Sequence, residues 1–490
     1  MDISPIKTQK FIIKLFPEIM IKGTSAKRQM VARLHGNLQK LLTRISPDIT
    51  TKKFFDKIEV VCPIDVVTEV RIKLLDTPGI ELVLEALQFD KITTIDEIKE
   101  IVNEHMAKEI IDKSFVVRVK RSGTHEFKST QIEQTVGGYM LHENKGLSKG
   151  VDLRNAEVTI NLELINNQLN IITLRHKGLG GFPLGSQGEI LSLMSGGFDS
   201  TVASYLTMKR GIKTHFVFFN LGGVAHEIGV KQVALYLWSK FGSSHRVTFT
   251  SIPFDDVVTE IFRSTHETYM GVTLKRLMLK ASEKIANELK IDALLTGESV
   301  AQVSSQTLRN LALIDQSTNK LVLRPLATMN KPDIINIANE IGTKRFAETM
   351  PEYCGVISKN PTTHGSYERM EKEASKFDYS ILDKAVENAI QINVDEINED
   401  IKDIGQMETV SDISSGNYVV IDIRQNAECI ETSCETIKIP FYKLKSEFEK
   451  LPQDKEYLFY CEKGILSQLH AQYLKDAKNF NNIKVYRPEK

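Results

Sequence analysis

Asp199 and Ser200 close a short loop, Ser195-Gly-Gly-Phe-Asp-Ser200, that follows the apolar run Leu191–Met194 and leads into helix-forming residues. Such a loop can bind an anion. Ser195, Gly196 and Gly197 carry little or no side chain, so the backbone can fold closely round a phosphate and aim its N–H groups at it from a helix N-terminus. Asp199 and Ser200 would cap free N–H groups or help to position a metal. No Gly-Lys-Ser/Thr follows, which excludes a Walker-type loop; an ordinary strand–turn–helix junction is the plainer alternative. A second reactive position is Cys461, between the apolar run Tyr457–Tyr460 and Glu462-Lys-Gly-Ile-Leu-Ser467. Backbone N–H groups gathered round that sulfur ahead of a helix would favour a thiolate able to hold a sulfane sulfur as a persulfide. A phosphatase-type cysteine loop would close on Arg, whereas Gln468 follows Ser467 here. Cys354, flanked by Pro351 and Gly355, reads either as an exposed turn cysteine or as a small core residue.

The elements that must position these groups follow from periodicity. Strand is expected at Leu191–Met194, Thr214–Asn220, Arg246–Pro253 and Ala293–Thr296, with helices at Thr201–Lys209, Val230–Phe241, Leu274–Glu288 and Pro332–Ile341 between or after them. That alternation predicts a parallel sheet wound on both faces by helices, with ligands at the carboxyl ends of the strands. Upstream, Lys10–Leu15, Phe115–Arg121 and Val158–Leu164 read as strands and Ser25–Leu42 as a helix whose exposed side Lys22, Lys27, Arg28 and Arg33 would decorate. The Gly-rich stretch His176–Gly188 lacks periodicity and reads as a linker; a dinucleotide-binding glycine fingerprint would need a helix after it, and a strand follows at Glu189. Residues 367–403 hold no Gly or Pro and read as an acidic helical connector, after which strands at Tyr418–Ile423 and Tyr457–Tyr460 and a helix at Leu466–Lys475 make a smaller α/β domain.

The bulk properties bound the possibilities. A chain of 490 residues is expected to form about three domains. No apolar run reaches the roughly 18 residues of a membrane span, and no leader-like segment opens the chain, so a cytoplasmic protein without a membrane partner is expected. The five cysteines, Cys62, Cys354, Cys429, Cys434 and Cys461, are too scattered for a disulfide framework and lack metal-site spacing, so no metal ligands are assigned. A net charge of zero hides a gradient: residues 1–60 carry 12 Lys/Arg against 5 Asp/Glu, and residues 371–490 carry 16 against 23. The basic end suits a polyanion such as nucleic acid, or is simply a solvated surface.

The loop at Ser195 resembles the PP-loop pyrophosphatase motif, and the Cys461 loop, with Asp422-Ile-Arg424, resembles a rhodanese domain. Val117-Arg-Val-Lys-Arg-Ser-Gly-Thr-His-Glu-Phe127 with Val136-Gly-Gly138 resembles a THUMP RNA-binding module. Together with Phe182-Pro-Leu-Gly185, Thr296-Gly-Glu298, Gln302-Val-Ser-Ser-Gln-Thr307 and Pro351-Glu-Tyr-Cys354, in that order, they are similar over nearly the whole chain to ThiI-type tRNA uridine 4-sulfurtransferases. The resemblance implies a multidomain α/β protein: a ferredoxin-like domain at 1–61, THUMP at 62–170, a linker at 171–188, a doubly wound parallel PP-loop domain at 189–366, a helical connector at 367–404 and a rhodanese domain at 405–490. It implies ATP at Leu193, Met194, Ser195, Gly196, Gly197, Asp199, Ser200, Lys275, Gly297 and Gln306, with Mg²⁺ on the phosphates and RNA on Lys120 and Arg121. The implied reaction adenylates uridine 8 of tRNA and delivers sulfur from a Cys461 persulfide, charged by a cysteine desulfurase. Cys354 would then form a disulfide with Cys461, to be reset by a thiol reductant. A role in thiamine synthesis through a sulfur-carrier protein is attached to the same family. The alternatives are an RNA-binding protein with a vestigial ATP site, or a sulfur donor for thiamine alone.

Overall fold

The computed structural model describes residues 8–221, 223–348, 360–397, 408–414, 418–424, 429–430, 432–439, 444, 447–461, 467, 470–471, 474–475 and 480–488. Cys354, with 349–353 and 355–359, lies outside them, as do 398–404 of the expected connector, 405–407 of the expected rhodanese domain and 462–466 after Cys461. The chain divides into two units, one holding residues 1–188 with 208–212 and 243–245, the other holding the remainder.

The first unit is built on one eight-stranded sheet of β1 (Thr8–Leu15), β2 (Thr50–Lys53), β3 (Lys57–Pro63), β4 (Ile80–Phe89), β5 (Ser114–Ser122), β6 (Gly150–Val151), β7 (Val158–Ile165) and β8 (Gln168–Gly180), in the order β2-β3-β1-β4-β8-β7-β5-β6. In the central strand β1, Phe11, Ile12 and Ile13 are all buried, as a strand covered on both faces requires. The helix Thr24–Leu42 lays Val31, Leu34, Leu38 and Leu42 against this half, at the three- and four-residue spacing of one helical face; Lys27, expected on its exposed side, is instead buried with Nζ 3.8 Å from the ring centre of Phe55. Over the other half, helices Ile95–Met106 and Ser129–Glu143 pack on Phe115, Val117, Ile160 and Leu162. The first of these starts at a capping box, in which Thr94 Oγ1 accepts from Glu97 N–H at 3.2 Å and Glu97 Oε2 accepts from Thr94 N–H at 2.9 Å.

Two expectations are corrected here. Residues 171–180 are not linker, because β8 runs on to Gly180, paired with β4 as far as Ile80. The glycines serve that pairing: a Cβ at Gly178 would stand 2.4 Å from Ile80 O, and Gly180 has φ +72°, next to a break in register. The boundary expected between residues 61 and 62 falls inside β3, and the sheet continues through both expected domains.

The second unit holds a six-stranded sheet of β9 (Glu189–Leu193), β10 (Lys213–Asn220), β11 (Thr248–Pro253), β12 (Ala293–Leu295), β13 (Leu321–Leu323) and β14 (Ile390–Asn393), in the order β13-β12-β9-β10-β11-β14. The first five pair in parallel; four of them lie where the sequence leads one to expect strands, and β13 is a further one that it did not disclose. The sixth pairs antiparallel to β11, so the expected helical connector is broken by an edge strand after helices Tyr367–Ala374 and Tyr379–Glu387. Ile390 and Ile392 flank Gln391 in that strand, whose Oε1 accepts from Thr250 Oγ1 of β11 at 3.2 Å. The chain leaves β9 to add β10 on one side and β12 on the other, which opens a crevice at the carboxyl end of β9.

A third sheet comprises β15 (Thr409–Val410), β16 (Tyr418–Asp422), β17 (Glu435–Lys438), β18 (Glu456–Tyr460) and β19 (Ile483–Tyr486), parallel throughout in the order β15-β19-β18-β16-β17. Its core joins Val419, Ile421, Phe448 and Phe459. Cys461 emerges from β18, again where neighbours lie on both sides from different parts of the chain. Among the described residues no helix is long and apolar enough to cross a membrane.

Candidate functional site

The crevice beyond β9 is a cavity of about 400 Å³, lined by Leu193, Met194, Ser195, Gly197, Asp199 and Ser200 from the loop, and by Lys275, Gly297 and Gln306 from elsewhere in the chain. The loop is internally braced. Ser195 N–H donates to Ser200 Oγ at 3.2 Å, the two serine hydroxyls lie 3.0 Å apart, and Thr201 Oγ1 donates to Gly197 O at 2.7 Å. Gly196 takes φ +80°, a conformation that costs a residue with a side chain but not glycine. The helix Phe198–Lys209 therefore begins with its N–H groups at the cavity, the arrangement that receives an anion.

Asp199 carries a charge that would repel such an anion, and the fold neutralises it. Lys331 Nζ, at the first position of helix Lys331–Glu340, donates to Asp199 Oδ1 at 2.7 Å and Oδ2 at 2.9 Å, and Gln302 Nε2 donates to Oδ2 at 2.9 Å. Both partners of the ion pair are partly exposed, so it is worth about 1 kcal/mol or less to stability. Its use is placement: a cation is held at the rim of the phosphate loop.

Across the cavity, Glu298 is buried and held from three sides, by Lys275 Nζ at 2.6 Å, Arg324 Nε at 2.8 Å and Thr296 Oγ1 at 3.0 Å. Burial pushes its carboxyl up, but the charges of Lys275 and Arg324 outweigh this and hold it below the usual carboxylate range. Arg324 also grips Asp315 through both terminal nitrogens, at 3.0 and 2.6 Å. Breaking so buried a network by removing one partner costs about 3–5 kcal/mol. His226 lies with Nε2 3.3 Å from Ser195 O, and burial pushes its pKa down, so it stays neutral beside the loop.

Gly297 is explained by a close approach. A Cβ there would stand 2.5 Å from Asp199 C and 2.6 Å from Ser200 N, inside the start of the loop's helix. Gly297→Ala is therefore expected to push the loop outward and weaken nucleotide binding by roughly tenfold or more, as overpacking against backbone does. Titration calorimetry checks this, and unchanged affinity would show that the loop gives way without reshaping the cavity.

The sulfur site is separately built. Cys461 is buried at the end of β18, and the N–H of Ser467, six residues on, donates to its Sγ at 3.4 Å. Asp422, fully buried at the end of the neighbouring β16, accepts from Arg424 Nε at 3.0 Å, Arg424 Nη2 at 2.7 Å and Ile430 N–H at 3.1 Å. Burial pushes Asp422 up, and Arg424 with these N–H groups brings it below its ordinary range. The Arg424 guanidinium then lies 5.0 Å from the ring centre of Tyr460, the residue before Cys461. The Asp-Ile-Arg element thus braces the strand end that presents the thiol.

On β5, Arg118 and Lys120 are exposed on one face, while Arg121 follows Val117 and Val119 on the other and donates to His125 O at 3.4 Å. The structure does not place Lys120 and Arg121 together on one surface, and Arg118, absent from the sequence-based assignment, is the residue that shares a face with Lys120.

The chain is 48% identical over 486 residues to a tRNA sulfurtransferase of Aeromonas hydrophila, a match covering 98% of this chain and all of the relative. The chain belongs to the tRNA sulfurtransferase family. A tRNA sulfurtransferase of Shewanella amazonensis is 45% identical over 488 residues, covering 98% of this chain and all of that one. Family models match the same architecture: ThiI, described as thiamine biosynthesis protein, over 185–379, the THUMP domain over 93–174 and a rhodanese-like domain over 406–487. A crystal structure of a 4-thiouridine synthetase–RNA complex with bound ATP is similar with a TM-score of 0.69 and 25% identity, covering 79% of this chain and all of that one. The expected fold class therefore holds for this sulfurtransferase, an α/β protein of THUMP, PP-loop and rhodanese parts. Lys331, Arg324 and His226 are site residues the sequence did not reveal. None belongs to a local motif, although a lysine at the start of a helix following a strand end is a signal that could have singled out Lys331.

Proposed function

We propose that this enzyme transfers persulfide sulfur to uridine 8 of tRNA at the expense of ATP, giving 4-thiouridine. The observation that carries the reading is the convergence of the Ser195–Ser200 loop with Lys275, Gly297 and Gln306 in one cavity, in a chain that matches a sulfurtransferase over 98% of its residues. The cavity suits ATP. Loop N–H groups, Lys275 and Lys331 suit the phosphates, Phe218 and Phe219 offer an apolar wall, and the buried Gln306 Oε1, without a partner among the described residues, awaits a donor. Magnesium would neutralise the phosphates, and Asp199, on the loop that lines the cavity, is a carboxylate that would hold it. Uridine O4 attacks the α phosphorus and pyrophosphate leaves; Lys331 and the helix N-terminus stabilise the charge that grows on it.

Sulfur arrives on Cys461, passed from a cysteine desulfurase. The persulfide attacks C4 of the adenylated base and AMP leaves. Cys354 then frees the sulfur by forming a disulfide with Cys461, and a thiol reductant restores both thiols. That cycle fits a reducing cytoplasm. Mass spectrometry of tRNA nucleosides from cells with and without the protein tests the reading, since 4-thiouridine persisting in its absence would refute it. A second role, passing persulfide sulfur to a carrier protein for thiamine synthesis, is favoured by the description attached to the matching family model.

Lys120 and Arg121 are proposed as tRNA phosphate contacts. Replacing both by alanine should weaken tRNA binding and reduce the salt slope of log K by about one for each phosphate no longer neutralised. Because Lys120 is the exposed member, Lys120→Ala alone should carry most of the change; a slope unaltered by both would move the RNA surface elsewhere.

A further inference from the structure

The Asp199 carboxylate is gripped by two arms that differ in kind. Lys331 brings a point charge on a flexible stem, which neutralises the carboxylate without fixing its plane. Gln302 brings a directional amide N–H to Oδ2 at 2.9 Å. Gln302 is exposed, so this contact adds nothing to the core, yet its backbone is closely held. Ala301 before it takes φ +65°, a left-handed conformation costly to a residue with a Cβ, and its N–H donates to Gln306 O at 3.0 Å. Gln302 N–H donates to Ser299 O at 3.3 Å.

The two arms are also cross-linked at their roots. Val300 N–H donates to Ala327 O at 3.0 Å and Ser299 Oγ to Met329 O at 3.0 Å, which ties the Gln302 loop to the segment that delivers Lys331. We propose that Gln302 is a positioning residue for nucleotide activation: it sets the plane of the Asp199 carboxylate and, through it, the place of the Lys331 ammonium at the cavity. This rests on the adenylating reading above. Without the amide, Lys331 alone holds the carboxylate, and because its ammonium rides on a flexible stem the pair can turn together about the last torsion of Asp199, away from the departing pyrophosphate.

The experiment is tRNA-dependent pyrophosphate release by the full chain, with ATP varied. Because Gln302 is exposed, Gln302→Ala should fold as the parent does. Its kcat should fall roughly tenfold, the loss of one charge-assisted hydrogen bond, with KM for ATP within about twofold. Gln302→Glu, which sets a second carboxylate against Asp199, should lose more and raise KM by repelling the triphosphate. Persulfide loading of Cys461 should be untouched in both. Parental kcat in Gln302→Ala, or a loss confined to KM, overturns the inference. A parent chain that itself releases no pyrophosphate overturns the adenylating reading and this inference with it.

Discussion

Asp199→Ala should lower tRNA-dependent pyrophosphate release on the order of a thousandfold, the scale on which removal of a preorganised charge from a reacting centre is felt. Two effects add. The substitution removes a carboxylate that lines the cavity beside the loop, and it frees Lys331, which donates to both Asp199 oxygens, to leave the rim of the loop. Lys331→Ala should lose nearly as much for the opposite electrostatic reason, since Asp199 would remain as an unmatched negative charge where a triphosphate must bind. In that variant KM for ATP should rise along with the fall in kcat. The double variant should fall well short of the product of the two single losses, because each acts through the other. Both variants should still accept a persulfide on Cys461, since among the described residues β16, β18 and Ser467, which flank it, contribute nothing to the lining of the nucleotide cavity. Steady-state kinetics beside persulfide detection measures this. Full additivity in the double variant would mean that Asp199 and Lys331 serve the reaction independently.

Cys461→Ala should abolish thiolation altogether while leaving pyrophosphate release in place, since alanine offers no sulfur to charge and the nucleotide cavity does not touch it. Adenylated tRNA should then build up or hydrolyse. Cys354→Ala should behave differently, with at most one turnover per chain, because in the proposed cycle disulfide formation by Cys354 is what releases the sulfur from Cys461. Peptide mapping after a single turnover without reductant should find a Cys354–Cys461 bridge, which demands Cα atoms within about 4.4–6.8 Å of each other. Two free thiols after turnover, or multiple turnovers by Cys354→Ala, would remove the resolving role.

The loop Ser195–Ser200 and the strands that lead to it and to Cys461 were legible in the sequence. A Gly-rich turn between an apolar run and a helical pattern is decided by residues within a few positions of one another. The same local reading misassigned residues 171–180. Glycines that look like a linker there relieve contacts with Ile80, about a hundred positions away in the chain, and only strand pairing with β4 makes this visible. It also missed β14, whose edge position depends on β11 being there to pair with it. The motif Thr296-Gly-Glu298 was visible, but its reason was not: Gly297 must be small because the backbone of Asp199 and Ser200 abuts it, and Glu298 is charged because Lys275 and Arg324 enclose it. Lys331 meets Asp199 across 132 positions. Local sequence sets backbone conformation, and so it disclosed where reactive groups are presented. Which charges neutralise which is set by packing of distant segments at the carboxyl ends of β9 and β12, and that was decided by the tertiary structure alone.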